Sequence, residues 1–166
     1  MSHARNKVNW CLRKGLKEHK EKGKHRGLIK IEPNPDLARR HLEKSEHYLR
    51  ATLTLESEFS DISASTVFYS VYHSLLAIIS KFGYESRNQE CTFALIRMLE
   101  EDGKIHLGSE ILNEVASFDL DEGIIILREK YQYGVELSMR EELFNSALEV
   151  AKKLLGKVKE ILEVRE

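Results

Sequence analysis

Arg128 closes an apolar run and is followed by Tyr131, Tyr133 and a glycine, in the stretch ILREKYQYG. A guanidinium is a rigid fork of donors suited to phosphate or carboxylate. Tyrosine rings offer faces on which it, or a nucleobase, stacks. The stretch has two readings. In one, Arg128 is a structural latch, bonded to helix-end carbonyls or to Glu129 or Glu136 and stacked on Tyr131 or Tyr133. In the other, it is half of a nucleic-acid site.

Three further places carry usable chemistry. His73 falls four residues after Tyr69 in the most apolar segment of the chain, where burial favours a neutral imidazole bonded to a neighbour. The cluster SRNQ contains Arg87 and Asn88 at a helix start, either as a cap or, with Tyr84 to stack a base, as an anion site. Trp10, the sole tryptophan, sits in KVNWCL and reads as an anchor for the N-terminal segment rather than a stacking platform.

Other chemistries lack their residues. Cys11, His19 and His25 match no common zinc spacing and have no evident fourth ligand. None of the seven histidines has a glutamate three residues before it, as a di-iron helical bundle requires. No phosphate-cradling glycine loop ending in Lys-Ser/Thr occurs. No metal and no cofactor is expected.

With 166 residues, 42 % hydrophobic and 32 % charged, the chain fits one folded domain. The longest nearly apolar run, SVYHSLLAIISKF, is interrupted by a histidine and shorter than a membrane span. The first residues, MSHARNKVNW, lack a signal-peptide apolar core. A cytoplasmic protein without membrane contact is expected, with Cys11 and Cys91 as free thiols. The net charge of −1 conceals an asymmetry. Residues 1–30 hold ten Lys/Arg against Glu18 and Glu21, giving +8. The remainder holds sixteen against twenty-five Asp/Glu, giving −9. Residues 1–33 thus read as a basic arm ahead of a body at 34–166. The arm either binds phosphates or folds onto acidic surface of its own chain or a partner's.

The body must position these residues with helices. Asn34, Pro35 and Asp36 predict a helix start, running to about residue 57 with Leu37, His41, Tyr48, Thr52, Leu42, Leu49 and Leu53 on adjoining ridges. Asp61 is expected to cap ISASTVFYSVYHSLLAIISKF, apolar nearly all round and therefore central, with Gly83 ending it. RNQECTFALIRMLEED predicts an amphipathic helix closed by Gly103. Two short helical segments follow, around Asp119 and Asp121. Ser138 and Glu141 form a capping box for a last helix whose inward ridge is Leu143, Ala147, Val150, Ala151, Leu154, Val158 and Ile161. No strand alternation and no repeat is visible. The fold class is all-α, an up-and-down four-helix-type bundle with short extra helices.

The pairs Phe68–Tyr69 and Tyr72–His73, the turn Gly83–Tyr84 ahead of SRNQE, and Arg128 with Gln132–Tyr133 before a capped long helix together resemble the HEPN family over roughly residues 36–162. Gln89 stands where that family commonly has histidine, and Gln132 where it has aspartate. The resemblance implies a HEPN-like bundle that pairs about a two-fold axis, and a minimal nucleotidyltransferase as partner in a toxin–antitoxin-like setting. Active relatives are metal-independent ribonucleases with an arginine and, after four to six residues, a histidine. Counting from Arg128 gives Tyr133, Gly134 and Val135, and a tyrosine hydroxyl titrates near 10, too high to shuttle protons at neutral pH. Arg13 and His19 meet the spacing only outside the motif's context. The expectation is a homodimeric binding module for nucleotide, RNA or a protein partner, with a candidate cleft of Arg128, Tyr131, Tyr133, His73, Tyr69, Arg87 and Asn88. Two alternatives stand: a ribonuclease using Arg128 in a dimer cleft, with His73 brought to it through space or another displaced base, or a purely structural homodimer with the arm packed on its neighbour.

Overall fold

The computed structural model describes residues 1–117 and 123–163. Its elements run α1 (His3–Lys22), β1 (Leu28–Lys30), α2 (Pro35–Leu55), α3 (Ser60–Lys81), β2 (Tyr84–Ser86), α4 (Gln89–Glu101), α5 (Ser109–Val115), α6 (Ile124–Tyr133) and α7 (Glu141–Glu163). The chain is predominantly helical, in the all-α class. Asp119 and Asp121 lie outside the described residues.

α3 is central because its composition leaves it no polar face to show to water. Val67, Phe68, Val71, Leu75, Ile78 and Ile79 are all buried, and α2, α4, α6 and α7 pack around them. By length and hydropathy α3 could also cross a bilayer, but most of it is enclosed by the other helices. α2 starts as its sequence dictates, with the Asn34 side chain accepting from the Leu37 N–H at 2.9 Å and Pro35 in the first turn. Gly83, at φ 78°, ends α3; a side chain there would meet the Ile31 carbonyl oxygen at 2.8 Å. α7 buries Phe144, Ala147, Ala151, Leu154, Leu155 and Val158, while Leu143, Val150 and Ile161 lie half-buried beside that stripe.

Five expectations are corrected. α3 begins one residue earlier than its cap was expected: Phe59 holds the N-cap position without a side-chain bond, and Asp61 falls inside the first turn. Ser138 and Glu141 form no capping box. α7 starts at Glu141 and the Arg140 carbonyl accepts from Phe144 N–H, which leaves Ser138 outside the helix. A two-stranded antiparallel sheet pairs Leu28 with Ser86 and Lys30 with Tyr84; three-residue strands are too short to show alternation. Cys11 and Cys91 are not free thiols. They form a disulfide with Cα atoms 5.9 Å apart, joining α1 to α4 and almost wholly buried.

The fifth concerns Trp10, which is 47 % exposed and stands outside the hydrophobic core, its ring flanked by Lys7 and Lys14. Residues 1–33 are instead fastened by small residues. Ala4, Val8, Cys11 and Leu28 belong to the main core. Gly15 lies so close to Leu28 that a Cβ would sit 2.1 Å from its carbonyl oxygen. Along α4, Ser2 donates to Glu101, Arg5 pairs with Asp102, and Lys7 with Glu90 at 2.7 Å. The cations nearest α4 thus fold onto acidic surface of their own chain.

Candidate functional site

Small residues bring α2 and α3 together. Ala38, Ser45 and Thr52 recur every seven residues on α2 and are fully buried. Ser45 and Thr52 meet Ser63, Ser70 and Ser74 of the antiparallel α3. Ser45 Oγ lies 2.7 Å from the Ser70 carbonyl and 2.8 Å from Ser74 Oγ, while Ser70 Oγ donates to the Ser45 carbonyl at 3.0 Å. One turn-pair away, Thr52 Oγ1 bonds Thr66 Oγ1 at 2.8 Å and Ser63 Oγ donates to the Thr52 carbonyl. Every hydroxyl in this strip has a partner, which is the condition for burying it.

Larger rings line the edge of the same seam. His41 of α2 and His73 of α3 place their Nδ1 atoms 3.0 Å apart. Tyr48 stacks on His73, with centroids 5.6 Å apart and planes 18° from parallel, and lies 5.4 Å from Tyr69. The Lys44 ammonium sits over Tyr48 at 5.1 Å. All four rings are half-buried. Burial, then the neighbouring His41 and Lys44, lowers His73 to a pKa of about 4. His41 is lowered as well, by burial first and Arg40 second, against an opposing pull from Glu85. Both rings are therefore neutral at physiological pH. One carries Nδ1–H and donates to the lone pair of the other.

The His41 end of the seam opens into a groove of about 290 Å³ lined by Leu37, His41, Tyr84, Glu85 and Arg87, among others. β2 places Glu85 here, and its carboxylate is a node. Oε1 lies 3.0 Å from Arg87 Nε and 3.1 Å from His25 Nε2. His25 is buried, and its Nδ1 has no hydrogen-bond partner.

No protein-family model matches the chain, and no curated protein sequence matches it.

The seven residues expected in one cleft occupy several places. Tyr69 and His73 are in the seam, and Arg87 is in the adjoining groove. Asn88 is committed to capping α4, its side chain accepting from the Cys91 N–H at 2.9 Å. Tyr131 is buried in a separate small cluster with Ala64, Met139 and Phe144. Tyr133, the last residue of α6, is 71 % exposed. Arg128 stacks on neither tyrosine. Its Cζ sits 4.5 Å from the centroid of Phe68, a ring that itself stacks on Tyr72. Its Nε is buried without a hydrogen-bond partner. Arg128 is thus engaged with Phe68, while His73 is engaged with His41 and Tyr48. Among the described residues no group of three or more His, Cys, Asp or Glu is placed to hold a metal ion.

In the sequence His73 stands out, whereas His41 reads only as a ridge residue and nothing marks Tyr48 as a ring partner or Glu85 as part of the site. The available signal was the run of aromatic and histidine residues at helical spacing on both predicted helices. What the assembled group offers is aromatic faces, a neutral donor–acceptor pair and one cation beside a groove.

Proposed function

We propose that this chain is a HEPN-like helical binding module that acts as a homodimer, recognises a nucleotide or RNA end, and works without ribonuclease chemistry. The natural setting of that reading is a toxin–antitoxin-like pair with a minimal nucleotidyltransferase. The observation that supports it best is the His41–His73 pair, kept neutral by burial, with Tyr48 stacked on His73 and His41 opening toward Arg87. A base stacks on half-exposed aromatic rings, the imidazoles offer one donor and one acceptor to its edge, and the guanidinium takes phosphate. The chain's spacing puts Tyr133, not histidine, after Arg128, and Arg128 faces an aromatic ring rather than a proton shuttle.

Calorimetric titration with a nucleoside triphosphate tests this. Binding is expected, and Arg87→Ala and Tyr48→Ala each weaken it about tenfold. Single-stranded RNA should stay intact in EDTA. Cleavage in EDTA that Arg128→Ala abolishes would overturn the reading in favour of the nuclease.

A further inference from the structure

The outward face of α1 is basic and carries an exposed tryptophan. Ala4, Val8, Cys11 and Gly15 turn inward. On a helix of 3.6 residues per turn, Trp10, Arg13, Lys14, Lys17 and Lys20 then share the opposite side, and all five are exposed. Trp10 is flanked by two ammonium groups, Lys7 Nζ at 5.1 Å and Lys14 Nζ at 5.0 Å from its ring centroid. Lys7 is also held by Glu90, and Lys17 makes a loose 3.9 Å contact with Glu21. The face is a cationic stripe about 15 Å long with one large aromatic surface in it.

We infer that this face of α1 binds single-stranded nucleic acid, with a base stacked on Trp10 and the flanking phosphates on Arg13, Lys14, Lys17 and Lys20. The site is separate from the α2–α3 seam and does not depend on the function proposed there. Three observations select the ligand. The stripe is fixed in orientation by the Cys11–Cys91 bond and the packing of Gly15 on Leu28, so it is presented as a surface rather than as a loose tail. A membrane would require an apolar face free to enter lipid, and the apolar face of α1 is already in the core. A duplex satisfies lysines but hides its base faces, whereas a single strand offers both phosphates and open π-faces. A phosphate bound at Lys14 would draw that ammonium off the indole and free the ring for a base.

Trp10 is the only tryptophan, so its fluorescence reports on this face alone. Titration with a short oligouridylate should quench it, and fluorescence anisotropy of the labelled strand should show binding whose logarithm falls with log salt at a slope of about −3. Trp10→Ala should weaken binding about tenfold, with Trp10→Phe recovering part of the loss. Lys14→Glu combined with Lys17→Glu should abolish it, while thermal melting stays unchanged because these side chains are exposed. Three results would overturn the inference. They are an unquenched tryptophan at saturating strand, equal loss of duplex and single-strand binding in Trp10→Ala, and a blue-shifted tryptophan with anionic vesicles in the absence of any response to RNA.

Discussion

His41 and His73 face each other across the α2–α3 seam with their Nδ1 atoms 3.0 Å apart, a geometry that accepts one Nδ1 proton and rejects two. The fold holds both rings on the neutral side, with His73 lowered from 6.5 to about 4 chiefly by burial. A histidine with a depressed folded pKa contributes stability that is fully present above its unfolded value and lost as pH falls toward the folded one. Stability should therefore decline between about pH 6.5 and 4 by roughly 1–2 kcal/mol, the full linkage value being discounted for the ring's partial exposure. Urea unfolding across that range is the measurement, and His73→Gln should flatten the slope. An unchanged slope in that variant would place the acid sensitivity elsewhere.

Ser45 is the pivot of the hydroxyl strip beneath those rings, touching the Ser70 carbonyl and both Ser70 and Ser74 hydroxyls. Ser45→Ala is expected to cost about 1–2 kcal/mol, because it leaves buried groups short of a partner. Ser45→Leu should cost more, by forcing the closely packed helices apart. Chemical denaturation of the two variants gives the comparison, and a milder effect for leucine would mean that the seam is looser than its distances imply.

Arg128 presents the reverse case. Its Nε is buried without a partner while its guanidinium lies on Phe68. A buried donor left unbonded costs stability, so Arg128→Met, which keeps the stacked bulk and removes the donor, should leave stability within about 0.5 kcal/mol of the parent or raise it. Arg128→Ala, which removes the packing on Phe68 as well, should lose about 1–2 kcal/mol. Thermal melts monitored by circular dichroism distinguish the two. A large loss in the methionine variant would assign the charge itself a structural role.

The Cys11–Cys91 bridge spans 80 residues of sequence. Chain-entropy arguments give a loop of that size about 4–5 kcal/mol, of which 2–4 is typically realised. The Cys11→Ser/Cys91→Ser double variant should therefore unfold at markedly lower denaturant. Its α1, no longer tied to α4, should exchange amide protons faster than α7 does. Uniform acceleration across the molecule would indicate that α1 and the bundle unfold as one unit.

The parts of this fold that were legible in sequence are those written in local signals. Asn34–Pro35–Asp36, Gly83 and Gly103 mark helix ends, and the continuous apolar run around Leu75 marks the centre. α1 shows no helical signal in sequence because its buried face is built from Ala4, Val8, Cys11 and Gly15, too small to raise a hydrophobic periodicity above its seven Lys and Arg residues. The disulfide, the β1–β2 pair and the Ser45–Ser70–Ser74 contacts join segments far apart in the chain, and spacing carries no information about such meetings. The candidate site divides along the same line. His73 was conspicuous as a histidine among apolar neighbours, whereas His41 acquired its meaning only when α3 was laid against α2. Arg128 was conspicuous too, yet its ring partner is Phe68, sixty positions upstream, and not the tyrosines beside it.

The sulfur bridge between α1 and α4 also governs what a protease can achieve. A cut at any exposed bond between positions 11 and 91, such as the turn joining α2 to α3, leaves both pieces on one covalent thread. Nicked molecules would run as intact chains on a gel until a reductant separates them.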